Sequence, residues 1–455
     1  MANGIIPGNQ DWQTSGPGAT PTNNGATTAT ATEELEELQI EEGGTLALAY
    51  GKHAVRGHLV LHDYDAGPPP SSKVVMALGD GVGLGWQAVV ALYYAGEAIS
   101  SSPDGSTAGY HFHPGTNSTG SGDATQGLDS FFGSGLTYNR TAYIAVKLPD
   151  KYAVEDRPDK LVGIYQCQKI YDYDINGTRG TSAAYSVNPA RVAAHFLIDL
   201  NGIATTRIHW PSWVAWRDYC DATLSWDDGA TTQSIARFEC HVAFTSRPSL
   251  AEGLSLICST CATSWQDDGE LIRFKIPTDT TPVHDFTDGL MTGTSSNIAD
   301  NSFTITPVDL RDRPSRLIGK FRDVQDTYLV EAQEEVRRDD LEAKGATPET
   351  SPRILPNMNR SQAQRLLARQ MRIEADNPIY CELRGMGDSF HVLPGDYVTV
   401  SHSSVNWLGV KCLVISVTDE SAERYADERA FSLQRIDTDL YDDDDHHPIQ
   451  PEVAP

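Results

Sequence analysis

Residues 77–86 read ALGDGVGLGW and carry glycine at four alternating positions, Gly79, Gly81, Gly83 and Gly85. A dinucleotide-binding loop needs G-x-G-x-x-G and then a helix, but the sixth residue is Leu84 counted from Gly79 and Trp86 counted from Gly81. The next residues, QAVVALYY (87–94), favour a strand because Val and Tyr lose rotamer freedom in a helix. The stretch therefore predicts a strand-to-strand connection, and we expect its glycines to permit a close approach where side chains would be in the way.

The residues around this connection predict a β region that extends over 45–160. It contains β-branched and aromatic runs bounded by turn-forming residues, namely HLVLHDY (58–64), KVVMALG (73–79), QAVVALYYAG (87–96) and RTAYIAVKLP (140–149). A polar, Gly- and Ser-rich stretch over 100–127 indicates a loop. Residues 1–32 carry one charged residue, Asp11, and we expect residues 1–44 to form an extended N-terminal arm that is ordered only against a neighbour.

The pattern changes to α+β over residues 161–325. Asn188 and Pro189 predict a helix start, because Asn caps well and Pro suits the first helical position. A second helix is expected from about Pro211, with an apolar face that reaches Leu224. Ser249 starts a third helix, with Glu252 three residues later as a capping box.

The remaining chain is expected to return to β structure after a helical passage. Residues 326–358 are strongly charged and predict an exposed helix or linker, and 359–375 predict a helix that leads the β domain of residues 359–441. Pro394, Gly395 and Asp396 predict a β turn. Residues 442–455 are acidic and predict a flexible tail. The fold class expected from these patterns is α+β and mostly β, with several domains.

The charge balance limits the function classes. Sixty-two acidic residues against 35 Lys and Arg give a formal net charge of −27, which argues against a protein that wraps nucleic acid. A negative wall repels phosphates, so the same charge is compatible with DNA that passes without being held. The sequence has no run of 18 apolar residues and no secretory signal pattern, so no membrane association is expected.

Neither the cysteines nor the known catalytic motifs predict a reactive centre. Seven cysteines are spread over the chain, and the CxxC of Cys258 and Cys261 has no second CxxC or His pair beside it to complete a zinc site. No G-x-S-x-G, HExxH or catalytic-cysteine pattern is present. We therefore expect no catalytic residues, no metal and no cofactor.

Two alternative functions rest on other residues. His111 and His113 would lie on one side of a strand, as in metal-dependent β-barrel enzymes, but no further ligands complete such a site. A tryptophan series at i, i+3 and i+6 could form a sugar-stacking platform in a carbohydrate-binding or carbohydrate-degrading β protein; it comprises Trp210, Trp213 and Trp216. In the carbohydrate-degrading alternative, the carboxylates required for cleavage would be those of Asp227 or Asp267. Core packing explains the tryptophans better, and turn chemistry explains the WDDG and QDDG acids.

The order of several motifs resembles that of the tail-tip, or baseplate-hub, proteins of long-tailed bacteriophages and gene transfer agents. The resemblance covers about residues 45–442 and is carried by AYGKHAVRGHLVLHD (49–63), VVMALGDGVGLGWQAVVALYYAGEAI (74–99), YHFHPG (110–115), RTAYIAVKLPD (140–150), YSVNPARVAAHFLIDLNGI (185–203), QAQRLLARQMRIEA (362–375), FHVLPGDYVTVSH (390–402), GVKCLVISVTD (409–419) and FSLQRIDTDLYD (431–442). The unstructured front arm, and a chain that ends soon after Tyr441, depart from the longer relatives.

This resemblance implies a homotrimeric virion protein at the phage tail tip, made in the host cytoplasm. Residues 45–160 and 359–441 would be tube-like β-barrel domains that build a ring, and residues 161–325 would brace it. The implied partners are the tail tube or distal tail protein, the tape measure protein and tip or fibre proteins, and genomic DNA would cross the lumen unbound. The residues singled out above would then be structural, comprising Asn188, Pro189, Pro394, Gly395, Asp396, Gly79, Gly81, Gly83 and Gly85.

Overall fold

The computed structural model describes residues 38–39, 46–65, 71–81, 84–94, 97–99, 109–116, 140–148, 161–227, 232–278, 281–325, 331–376, 378–419 and 428–436. Most of the expected N-terminal arm (1–44), the acidic tail (442–455) and Gly83 lie outside these residues. The expectations about them therefore stay predictions.

The described residues form 26 strands, most of them short. Their bounds are β1 Leu38–Gln39, β2 Leu48–Ala49, β3 Lys52–Arg56, β4 His58–Asp65, β5 Ser71–Asp80, β6 Trp86–Tyr94, β7 Glu97–Ala98, β8 Gly109–His113, β9 Thr141–Leu148, β10 Leu161–Ile170, β11 Ala184–Tyr185, β12 Thr223–Asp227, β13 Thr232–Ala236, β14 Ala243–Phe244, β15 Ser264–Asp267, β16 Ile272–Lys275, β17 Pro282–Thr287, β18 Thr304–Pro307, β19 Pro314–Arg322, β20 Glu331–Arg337, β21 Thr347–Pro348, β22 Arg353–Ile354, β23 Ile379–Gly385, β24 Tyr397–His402, β25 Trp407–Asp419 and β26 Arg429–Arg435.

Five α-helices lie between these strands. Their bounds are α1 Pro189–Ala194, α2 Trp210–Asp221, α3 Leu250–Ser259, α4 Asp339–Glu342 and α5 Arg360–Met371. Short π-helical turns, His195–Leu200 and Arg372–Asp376, continue α1 and α5. The second helix ends at Asp221, so Leu224, expected on its apolar face, lies in strand β12 instead.

Two sheets form the N-terminal region around one apolar core. One has the order β1-β3-β10-β6-β7, with β11 paired to β10, and the other has the order β4-β5-β9-β8. Strand β10 (Leu161–Ile170) lies beyond the expected end of the β region at residue 160 and pairs with both β3 and β6. Strand β8 also corrects the prediction of a continuous polar loop over 100–127, because its residues pair with β9.

The middle region packs its three longer helices on small hairpins. Strands β12–β13 and β15–β16 form two-stranded sheets, and β14 pairs with β2 of the N-terminal region. Trp213 and Trp216 of α2 are fully buried, and Trp210 is nearly so. The tryptophan series therefore builds the core and presents no sugar-stacking platform.

A six-stranded sheet with the order β17-β24-β25-β26-β23-β18 forms the C-terminal region. Its strands β17 and β18 come from the part of the chain expected to belong to the middle region. Residues 331–337, expected in a charged helix or linker, instead form β20, which pairs with β19. The prediction was wrong because it took the many charged residues as a sign of exposure. Glu334 instead points inward from the strand, and its carboxylate accepts hydrogen bonds from Arg360 and Gln364.

The fold class expected from the sequence, α+β and mostly β with several sheets, is confirmed. Within the described ranges every sheet ends in edge strands, and none closes into a barrel.

The glycine connection joins the two N-terminal sheets. Gly79 lies in β5 rather than in the loop, whereas Gly81 and Gly85 lie in the connection to β6. A Cβ on Gly81 would lie 2.3 Å from the carbonyl oxygen of Gly115, and the Gly81 amide donates to the Arg140 carbonyl at 2.6 Å. The close approach expected for these glycines is thus made to backbone of the same chain.

Gly81→Ala is expected to lower the free energy of unfolding by about 1–3 kcal/mol, because the added methyl group must displace backbone. Chemical denaturation of the purified variant measures this loss. Gly387→Ala is the matched control, since the nearest atom to its added Cβ would lie 3.9 Å away. Equal losses in the two variants would contradict the steric explanation.

Candidate functional site: a histidine-lined joint and the Asp396 contact

The residues Tyr50–His53, called the joint here, lie where the N-terminal strands meet the middle region and the segment before α5. The Tyr50 amide donates to the Val242 carbonyl at 2.8 Å, and the Gly51 carbonyl accepts from the Cys167 amide at 2.8 Å. Gly51 has φ +78°, and a Cβ at this position would lie 2.3 Å from Nδ1 of His241. Only glycine therefore lets the His241 ring approach this backbone.

Three imidazoles make the contacts between the joint and distant residues, each through its Nδ1 atom. His241 Nδ1 accepts from the Lys52 amide at 2.9 Å, and His195 Nδ1 lies 2.8 Å from the Tyr50 hydroxyl. His53 belongs to the joint itself, and its Nδ1 lies 3.2 Å from Nδ2 of Asn357. The three contacts span 189, 145 and 304 residues, so they hold distant parts of the chain together.

The partners of these rings fix where the protons lie. The Lys52 amide is a donor, so Nδ1 of His241 is unprotonated and its Nε2–H donates to the Glu239 carboxylate at 3.1 Å. In the same way His53 donates from Nε2 to the Tyr50 carbonyl at 3.0 Å and accepts at Nδ1. Both rings are therefore neutral in this arrangement.

Burial lowers the pKa of two of these histidines. The His53 pKa falls to about 4, chiefly because the ring is desolvated and also because His241 and Arg322 lie nearby. Desolvation alone lowers the His195 pKa to about 4. Burial raises the pKa of Glu239, but the hydrogen bond from His241, with the hydrogen bond from Asn359 and the charge of Lys52, outweighs burial, so this pKa lies below its ordinary value.

The amide of Gln362 connects α5 to the middle region beside the joint. Its Nε2 donates to the carbonyls of Glu239 and Thr260 at 2.8 and 2.7 Å, and its Oε1 accepts from the Glu239 amide at 3.0 Å. Asn359 caps α5 by accepting from the Gln362 amide at 2.8 Å, which places this side chain. The side chain of Gln362 is fully buried.

The predicted turn of Pro394, Gly395 and Asp396 makes a second inter-region connection, called the Asp396 contact here. The buried Asp396 carboxylate lies 2.6 Å from Nζ of Lys275, and Nε2 of Gln266 donates to the Pro394 carbonyl at 2.7 Å. Gly395 has φ +89°, which favours glycine. The turn thus attaches the C-terminal sheet to hairpin β15–β16.

Asn188 and Pro189 lie together at the start of α1. The Asn188 side chain accepts from the amides of Ala190 and Arg191, and Pro189 occupies the first turn. Nδ2 of Asn188 also donates to the Arg217 carbonyl at 2.9 Å and to the Asp221 carboxylate at 2.7 Å. One side chain therefore caps α1 and attaches it to α2.

The structure brings two further cysteines near the CxxC, a grouping that sequence spacing did not reveal. Cys220 and Cys240 join Cys258 and Cys261 in one apolar core, and all four are fully buried. The Cys261 thiol accepts from Nε1 of Trp216 at 3.2 Å.

In the described part of the chain no three His, Cys, Asp or Glu residues form a group suited to a metal ion. His113 instead stacks on Tyr143.

No protein-family model matches the chain, and no curated protein matches it. Among solved structures, a chain from the virion of a native gene transfer agent particle is similar, with 14% identity and a TM-score of 0.59 over 89% of this chain and 88% of that one. The fold of this chain is therefore similar to that of the virion chain over most of its length. Within the residues described, no helix is long and apolar enough to cross a membrane.

Two tail proteins align over most of their length but only loosely. A tail protein from Neisseria meningitidis MC58 has 9% identity and a TM-score of 0.33, over 89% of this chain and 100% of that one. A 43 kDa tail protein of prophage MuSo2 from Shewanella oneidensis has 12% identity and a TM-score of 0.30, over 87% and 99%. Similarity at this level carries no argument, so the fold comparison rests on the virion chain described above.

Gln362→Leu is expected to lower the free energy of unfolding by about 3 kcal/mol or more, because two carbonyls and one amide lose their buried partner. Urea denaturation followed by tryptophan fluorescence measures the loss. Gln370→Leu on the same helix is the control, because that side chain bonds only to Glu374 one turn away and is expected to change stability by about 0.5 kcal/mol at most. A similar loss in both variants would contradict the role given to Gln362.

Asp396→Asn is expected to lower the free energy of unfolding by about 3–5 kcal/mol, because it leaves the mostly buried Lys275 ammonium beside a neutral group. Asp63→Asn, which removes the partner of Lys73 at a more exposed position, is expected to cost less than about 1 kcal/mol. Thermal unfolding of both variants at pH 7 provides the comparison. An Asp396 variant as stable as the wild type would show that the contact does not hold the regions together.

Proposed function

We propose that this chain is a structural protein of a phage-type virion, the tail-tip or baseplate hub. In that role it continues the tail tube, closes its distal end and opens for DNA ejection. The observation that carries the proposal is the fold match to a chain of the gene transfer agent virion, which extends over 89% of this chain and 88% of that one. A match over nearly the whole length supports a similar architectural role more strongly than one shared domain would.

The construction of the molecule supports a role in assembly rather than catalysis. The tryptophans are core residues, and the buried polar side chains of Gln362 and Asp396 join one region of the chain to another. A hub transmits load between neighbours, which requires regions that keep their relative positions. We therefore propose no catalytic activity and no cofactor.

The proposed arrangement is a homotrimer with two tube-like β domains in each chain, residues 45–160 and 359–441. Each range contributes strands to a six-stranded sheet with unclosed edges in the described residues, β3, β6 and β7 to one sheet and β23–β26 to the other. Six such units in a trimer would give a ring with near six-fold symmetry around a channel. The region over 161–325 would brace the outside, and residues 326–358 would connect it to the second tube-like domain.

The net charge of −27 fits a channel for DNA. Negative walls repel phosphate groups, so the genome would slide through without specific binding. The proposed neighbours are the tail tube or distal tail protein, the tape measure protein and tip or fibre proteins. Assembly with them would take place in the host cytoplasm, without stable membrane association.

The purified protein is expected to have a mass three times the 49.6 kDa of one chain and to show a three-fold ring with a central channel. Light scattering after size-exclusion chromatography measures the mass, and electron microscopy of the protein and of native particles shows the ring. A compact monomer in solution and in the particle would overturn the proposal.

A further inference from the structure

The joint Tyr50–His53 combines features that make it sensitive to protons. Its contacts to the rest of the chain include three histidine rings, two of which reach it from elsewhere in the chain, His195 from the turn after α1 and His241 from just before β14. These side chains are all buried: His53 is 7% exposed, His195 0% and His241 4%. An added charge would therefore have little access to water.

Protonation would replace an acceptor by a donor at two of these contacts. A proton on Nδ1 of His241 would face the Lys52 N–H, and a proton on Nδ1 of His53 would face the amide group of Asn357. At His195 the Tyr50 hydroxyl can accept as well as donate, but Nε2 is buried and has no hydrogen-bond partner among the described residues, so the charged ring would hold an unsatisfied donor there. Each protonation thus either opposes a contact between distant parts of the chain or buries an unsatisfied charge.

We propose that the joint is a proton-sensitive latch, which opens on mild acidification and releases the N-terminal sheets from the middle region and from the segment before α5. The opening is a property of the single chain, so it does not depend on the hub function proposed above. The Asp396 contact contains no imidazole, because its polar groups are a carboxylate, an ammonium and an amide. Acid therefore separates the N-terminal side of the molecule first and leaves the C-terminal sheet attached.

The charged and titratable groups around the joint determine how strongly each histidine resists protonation. His241 and Arg322 lie near His53 and oppose a positive charge there. Glu239 faces Nε2 of His241 and partly offsets a charge on that ring. Around Tyr50 lie Cys240 and Asp199, but desolvation dominates at His195. Only His241 has a carboxylate partner, so His53 and His195 make the larger contribution.

The sign of the pH dependence follows from the lowered pKa values. His53 and His195 have pKa values of about 4 in the closed joint, below the ordinary value of 6.5, so an open joint binds more protons below pH 6.5. Closure is therefore fully favoured above about pH 6.5 and is lost progressively as the pH falls toward 4. At pH 5 each ring shifts the equilibrium toward opening by about 30-fold relative to pH 7.5.

Hydrogen–deuterium exchange on the full-length protein tests the latch at pH 7.5 and pH 5, after correction for intrinsic exchange rates. The joint peptides carry the amides of Tyr50, Lys52 and Cys167, and the reference peptides carry those of Gly395 and Val414 at the Asp396 contact. The expected result is a loss of protection at the joint that exceeds the loss at the reference by at least about 30-fold. Equal changes in both sets, or full protection of the joint at pH 5, would overturn the proposal.

Two variants separate the latch from general acid sensitivity. His195→Asn keeps an acceptor near the Tyr50 hydroxyl but cannot take up the proton, so the loss of exchange protection at the joint at pH 5 should shrink by about 30-fold. His53→Asn should reduce this loss of protection similarly. His402→Asn, on a half-buried histidine of the C-terminal sheet, is the control and should leave the wild-type response unchanged. If both joint variants fold and still respond like the wild type, the proposal is wrong. If neither folds, the comparison of joint and reference peptides in the wild type decides it.

Discussion

The missing side chain of Gly51 is the constraint on which the connection between the distant parts of this chain depends. A Cβ there would overlap Nδ1 of His241, and the backbone has a positive φ that other residues rarely adopt. With glycine in place, the ring reaches the Lys52 amide, and β2 can pair with β14 beside it. The N-terminal sheets thereby acquire a fixed position relative to the helices of the middle region.

Stability and connection come from different kinds of contact in this molecule. Separate apolar clusters stabilise the N-terminal sheets, the middle helices and the C-terminal sheet. Buried polar side chains, above all Gln362 and Asp396, connect these units through directional hydrogen bonds and one ion pair. Apolar contacts tolerate small shifts, whereas hydrogen bonds between buried groups fix distances and angles. Such a division suits a protein whose regions must keep a defined geometry.

Local sequence patterns predicted which helices and strands form better than they predicted which elements pack or pair with one another. The Asn188–Pro189 and Ser249–Glu252 sequences specify helix starts through contacts within a few residues, and the structure has helices there. Strand β17 gave no local sign that it pairs with β24, more than 100 residues later, because pairing depends on tertiary position. The joint was equally hidden, since His53, His195 and His241 have no common spacing. Composition also failed at Glu334, where charge indicated exposure but the carboxylate is buried.

The pairing of His53 with Asn357 sets a condition on synthesis as well as on structure. The two residues are 304 positions apart, so at about 5–20 residues per second the ribosome needs roughly 15–60 s to supply the second one. During that time the N-terminal strands can fold locally, but the joint lacks its last partners. A chain interrupted before Asn357 would therefore carry an incomplete joint. Correct geometry at the joint thus requires synthesis to continue at least to the segment that precedes α5.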